Sequence, residues 1–156
     1  MVVVGIMGII LAMGVPSVFK LLSKEGMRKA TADVEDVCRS ARARAILGGS
    51  PTDVIFYPLE HRLEIRGGSG GGGGGPEKPL ASSDNSSGAQ IADDIIIEML
   101  DINLMEYKDS EWARVRFYPN GTSDEMTLVL RSPKNEWKKV TTEVTTGMTS
   151  VDNVLR

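Results

Sequence analysis

The stretch that decides the fold is "MVVVGIMGIILAMGVPSVFKLL", residues 1–22. No charge occurs before Lys20. A bilayer core is crossed by roughly 20 apolar residues in a helix, and this run is just long enough. Its apolar residues go all round the helix, so no face is suited to water. Gly5, Gly8 and Gly14 would let a second helix approach closely. Pro16 removes a backbone donor and should loosen or kink the helix there. A cleaved secretory signal would begin with a basic segment, and none stands before Val2. Ala12-Met13-Gly14 does have the small-x-small form of a cleavage site, but helix continues beyond it. A retained helix, held in a membrane or in a filament core, is the expectation over a signal or a soluble core helix.

The helical pattern runs on, with no proline from Lys20 to Leu47. Met27, Ala30, Val34, Val37, Cys38, Ala41 and Ala45 recur with the 3.6-residue period of one helix face. Charged residues fill the other faces, and Glu25–Lys29 and Glu35–Arg39 stand in the favourable acid-before-base order. Gly48-Gly49 and Pro51 supply the stop. One helix from Met1 to about Leu47 would be about 70 Å long. Its first half, 1–19, is apolar throughout. Its second half, 20–48, is amphipathic and needs a sheet to lie on. Val34, Val37, Cys38 and Ala41 are the candidate helix–sheet packing residues.

After Gly49 the period becomes that of strands. "TDVIFYP" (52–58) and "HRLEIRG" (61–67) read as a pair. Further strands are expected at 94–100, 113–119, 125–131, 137–144 and 148–154, with turns at Asn120-Gly121 and Thr146-Gly147. The short turns imply an antiparallel sheet or two small sheets over residues 49–156. Residues 66–93 are rich in Gly, Ser, Pro and Asp and read as a flexible surface insertion. No GxxxxGK[ST] accompanies the glycine run, so a phosphate loop is not expected. The fold class is α+β, a long helix packed on an antiparallel β domain.

Little in this chain points to chemistry. A net charge of −3 over 156 residues argues against a dominant phosphate-binding surface. Cys38 is the only cysteine and reads as a small buried hydrophobe. His61 is the only histidine, which leaves no zinc-type ligand set. Asp93-Asp94 with Glu98, and Asp124-Glu125, are acidic clusters that read as solvated turns. Arg39, Arg42, Arg44, Arg62 and Arg66 could form a local basic patch, although a solvated helix face is the plainer reading. No catalytic, metal or cofactor site is expected, and the protein reads as a non-enzyme.

The opening stretch resembles the N-terminal helix of type IV pilins and type II secretion pseudopilins. Gly14-Val15-Pro16-Ser17 matches their small-hydrophobic-Pro-Ser step, and Pro16 falls on their helix-kinking proline. That register places Met1 six residues after the family's mature start, beyond its leader and its glutamate. "DVCRSARARAILGGSPTDVIFYP" (36–58) resembles the H-type minor pseudopilin and its pilus relative, the GspH/FimT-like group. In that group a helix ends in Ala-Arg-x-x-Ala before an apolar strand. "VRFYPNGTSDEMTLVL" (115–130) resembles its Phe-x-Pro-x-Gly turn, and "EVTTGMTSV" (143–151) its closing Thr-Gly hairpin.

The resemblance implies a pilin fold and a structural subunit of a type II secretion pseudopilus. Such a subunit is anchored in the bacterial inner membrane by a single pass, with its globular domain in the periplasm. It then assembles into a filament, or caps one. Val4, Ile6, Ile9, Ile10, Leu11, Gly14, Pro16 and Phe19 become the candidate membrane and filament packing residues. The implied partners are other pseudopilin or pilin subunits, inner-membrane lipid and the secretion or pilus assembly machinery. The alternatives are a minor type IV pilin serving pilus assembly or DNA uptake, and a membrane-anchored periplasmic binding domain or enzyme. DNA-uptake members tend to carry Gly-Arg-x-Arg in the closing hairpin. This chain has Gly147-Met148-Thr149-Ser150, so nucleic acid is not an expected partner.

Overall fold

The computed structural model describes the backbone of residues 2–67 and 88–154, and the side chains of 25–67 and 88–154. Helix α1 runs Val2–Gly48. It ends where Gly49 turns left-handed (φ +61°), a conformation that glycine adopts without steric cost. Every member of the apolar face from Met27 to Ala45 is buried. The charges opposite stay outside, where Arg39 bonds Glu35 at 2.6 Å and Asp36 at 3.3 Å. Glu25 and Lys29, in the same favourable order, do not pair with each other. The side chains of residues 1–24 lie outside the described residues, and with them the packing set from Val4 to Phe19. Among the described residues no helix is long and apolar enough to cross a membrane.

Among the described residues nine strands follow: β1 Thr52–Tyr57, β2 Arg62–Gly67, β3 Gly88–Gln90, β4 Ile96–Ile102, β5 Met105–Glu106, β6 Ala113–Phe117, β7 Met126–Arg131, β8 Trp137–Thr142 and β9 Thr149–Asn153. They form two antiparallel sheets, ordered β3-β2-β1-β6 and β5-β4-β7-β8-β9. A single 3-10 turn, Pro58–Glu60, joins β1 to β2, and His61 follows it at φ 50°.

Alternation sorts each strand between two faces. Val54, Phe56, Leu63, Ile65, Val115 and Phe117 of the first sheet join Leu100, Met126, Leu128, Leu130 and Val140 of the second in one core with the helix face. α1 lies across the seam between the sheets. Val37 shares a groove with Ile65 and Ala89 of the first sheet, whereas Cys38 faces Thr142 and Thr149 of the second. Small residues at 38, 41 and 45 suit that position, since both sheets crowd this side of the helix.

Two expectations are corrected. The insertion expected over 66–93 is narrower, because Arg66 and Gly67 belong to β2 and residues 88–90 form β3. Ile91, just beyond, is 1% exposed. β3 approaches so closely that a Cβ on Gly88 would stand 2.3 Å from the carbonyl oxygen of Leu63. A glycine that reads as loop composition is therefore a pairing requirement. Second, β4 starts at Ile96, because Ala92–Ile95 closes a turn in which the Ile95 amide donates to the Ala92 carbonyl at 2.9 Å. Asn120-Gly121 forms the expected turn, with the Tyr118 amide donating to the Thr122 carbonyl and Phe117 bridging Ser123. It carries the chain from β6 in one sheet to β7 in the other.

Candidate interaction surface

Val34, Cys38 and Ala41 are 0% exposed and Val37 is 8% exposed, all beneath α1. Burial pushes the Cys38 thiol up to about 12, outweighing the hydrogen bonds from Thr149 and Thr142 that lower it. A thiol held protonated in this way is a poor nucleophile and a poor ligand. His61 sits at the left-handed position after the 3-10 turn, with its Nδ1 buried and unpartnered. Among the described residues no three His, Cys, Asp or Glu side chains converge as a metal site. A groove of about 200 Å³ runs between α1 and the β2–β3 pair, open to solvent, past Asp33, Asp36 and Ser40.

The five arginines are divided rather than gathered. Arg62 and Arg66 lie on the outer face of the first sheet, away from α1, flanking Glu64, which pairs with both. Arg62 also pairs with Glu60 at 2.8 Å and stacks 4.1 Å from the centre of the Tyr57 ring. On the same face Arg116 holds Asp53 through two bonds of 2.7 and 3.0 Å, which raises the Arg116 pKa. The acidic clusters are also engaged: Asp124 accepts the Arg116 amide at 2.9 Å, and Glu98 pairs with Arg131. Asp93 and Asp94 remain exposed.

A different arrangement appears at the end of the domain where α1 stops. The β6–β7 turn and the β8–β9 turn meet there. The Gly121 amide donates to Tyr118, the Ser123 amide to Val144, and the Gly147 amide to Glu143, at 2.8–3.0 Å. Gly121 and Gly147 both have positive φ, +88° and +61°. A Cβ on Gly147 would lie 2.5 Å from the Gly121 carbonyl oxygen and 3.2 Å from Cδ of Arg42. A Cβ on Gly121 would lie 3.8 Å from an Arg42 guanidinium nitrogen and 3.9 Å from Ile46. Arg42 is thus laid along two glycine backbones, half-buried, with Nε buried and without a hydrogen-bond partner.

Three motifs far apart in sequence, the Ala-Arg-x-x-Ala helix end and two glycine turns, therefore share one place. Their separate motifs were readable, but their meeting depends on how the two sheets pack. Large apolar side chains are exposed at the same end. Among the described residues, seven of the nine exposed large hydrophobics lie at this end: Ile46, Leu47, Leu104, Met105, Tyr118, Val144 and Met148. Strand order brings Leu104 there, because Asn103 exchanges hydrogen bonds with Glu125, beside the β6–β7 turn. The opposite end, where a Cβ on Gly26 would lie 4.0 Å from the Asp94 carboxylate, is the end from which residues 2–24 of α1 extend.

No protein-family model and no curated protein sequence matches the chain. Among solved structures it is similar to the minor pseudopilin EpsH from the Type 2 Secretion System of Vibrio cholerae, with a TM-score of 0.51. The match covers 81% of this chain and 94% of that one at 14% identity. At that identity the likeness speaks to architecture: one long N-terminal helix packed on antiparallel sheets, an α+β pilin-like fold.

Proposed function

We propose that the protein is a minor pseudopilin-like structural subunit of a type II secretion pseudopilus, of the H type, with no catalytic role. One observation carries this reading. The helix that covers the seam between the sheets continues, in sequence, as a wholly apolar segment with a Gly-Val-Pro-Ser step. A pilin-like domain on such a helix can exchange one apolar environment for another. Membrane lipid and a bundle of like helices are both apolar, so extraction into a filament need not carry a large penalty. In this reading Val4, Ile6, Ile9, Ile10, Leu11 and Phe19 pack in the inner membrane and then in the filament core. Gly14 and Pro16 allow the helix to melt locally during assembly. The globular domain stands in the periplasm, and the subunit is incorporated in the filament or caps it.

Deleting the gene in its native host should abolish secretion of the exported proteins and leave pilus-dependent DNA uptake intact. The Ile9→Lys and Ile10→Lys variants should lose both membrane retention and complementation, since a charge at the centre of a span costs about 2.5–3.5 kcal/mol. Lost DNA uptake with normal secretion would instead assign the subunit to a pilus. Retention of both activities in the deletion strain would overturn the assembly role.

A further inference from the structure

We propose that the end of the domain centred on Arg42 docks a second protein, one that places a carboxylate on the Arg42 guanidinium within an apolar contact. The inference does not depend on how the apolar half of α1 packs.

Two independent observations lead here. The first is charge. Arg42 is a half-buried cation with no hydrogen bond or ion pair among the described residues. The nearest acid in the adjoining turn, Glu143, spends its carboxylate on the hydroxyls of Thr145 and Thr146, at 3.2 and 2.8 Å. A half-buried charge without a partner is costly, and native structures supply partners for such groups. Here the site is complementary to a carboxylate that the described chain does not provide. An arginine whose Cδ and Nε lie beside Gly147 and whose guanidinium reaches Gly121 has less side-chain freedom left to lose on binding that group.

The second observation is apolar surface. Ile46 on α1, and Tyr118, Val144 and Met148 in the two turns that meet at Arg42, have 42%, 37%, 45% and 61% of their surfaces exposed. An arginine and a tyrosine within an aliphatic ring have the composition of a binding hot spot, where the surrounding apolar groups exclude water from the ion pair. Exposed apolar residues gathered at one end of a small domain point to an interaction site. A membrane surface is a poor occupant, since this end also presents the exposed acids Glu106, Glu125 and Glu143.

The test uses the full-length chain in its native host, with a photo-crosslinking benzoylphenylalanine in place of Met148, of Val144 or, as a control, of Ile96 at the opposite end. Irradiation should give one heteroprotein adduct from positions 148 and 144 and none from 96. With that partner purified, Arg42→Glu should weaken binding at least tenfold. Arginine in place of the partner carboxylate nearest the crosslink should restore it. Arg42→Gln should weaken binding without lowering the melting temperature, because it removes an unpaired charge; this variant keeps the test valid if Arg42→Glu fails to fold. The proposal is overturned by no adduct, by adducts only with lipid or a second copy of this chain, or by equal crosslinking at Ile96. Binding indifferent to residue 42 would also overturn it, as would a fall in melting temperature in Arg42→Gln.

Discussion

A Cβ on Gly147 would stand 2.5 Å from the carbonyl oxygen of Gly121, a backbone atom that cannot swing aside. Gly147 also has φ +61°, where an L side chain is strained. Gly147→Ala should therefore cost about 2 kcal/mol or more in urea unfolding, the sum of strain and overpacking. Gly49 shares φ +61° but meets nothing within 4 Å, so Gly49→Ala isolates the backbone term and should cost only about 1 kcal/mol. Equal losses in the two variants would contradict the junction between the turns. Cys38 offers a pH signature. In the folded protein its thiol keeps its proton to about pH 12, whereas the ordinary value is 9.0. Between those values the unfolded chain binds fewer protons than the folded one, so stability falls as pH rises, and the effect is absent below 9. The slope is about 1.4 kcal/mol per pH unit. Comparing wild type with Cys38→Ala at pH 8 and pH 10.5 cancels the other titrations. The wild type should lose more stability than the variant over that interval, and parallel losses would mean that Cys38 is accessible to solvent.

At the scale of elements, the amphipathic half of α1 was legible because its apolar spacing has one cause, a helix lying on a sheet. All seven residues of that period are buried, and Thr31 is buried beside them. Most strand positions were legible for the same reason, with ends displaced where turns close by hydrogen bonds that leave no hydropathy signal. β3 was not legible: three residues, one of them glycine, carry no alternation, and only Leu63 opposite reveals why Gly88 must lack a side chain. The pairing of β1 with β6 was also hidden, because Val54 meets Val115 across a long sequence separation and local pattern cannot choose between partner strands. Arg42 was visible only as one of several arginines until the sheets brought the two glycine turns against it. The position of α1 over the seam leads to a sharper expectation. Ala41 is 0% exposed with strands on either side, so Ala41→Leu should be destabilising by about 1–3 kcal/mol despite its higher apolar content. Leucine at the exposed Ala43, on the other face, should be within about 0.5 kcal/mol of wild type. Thermal melts of the pair measure the difference. A neutral Ala41→Leu would mean that the helix rests more loosely on the seam than its buried alanines indicate.

For the whole molecule, the helix joins an apolar half, 1–19 in sequence, to a half that packs on the sheets. The first described residue of the core is Met27, and the buried face continues from there to Ala45 on the same helix. Both sheets, the seam and the Arg42 junction use only residues after Gly26. The domain's stability should therefore not depend on the apolar half. Removing residues 1–24 leaves a helix of Glu25–Gly48, long enough to span the seam, with its charged face still in water. That truncated chain should be soluble without detergent and should unfold in one cooperative transition, as small single domains do. It should also fail to complement the deletion strain, because it lacks the surface proposed to pack in membrane and filament. Circular dichroism melts and sedimentation check the first expectation, and a secretion assay checks the second. If the fragment folds but still complements, the apolar half has no part in assembly. If it aggregates or melts without cooperativity, the domain core extends further up the helix than Met27. Folding together with loss of function is the outcome that a domain carried on a separable stalk requires.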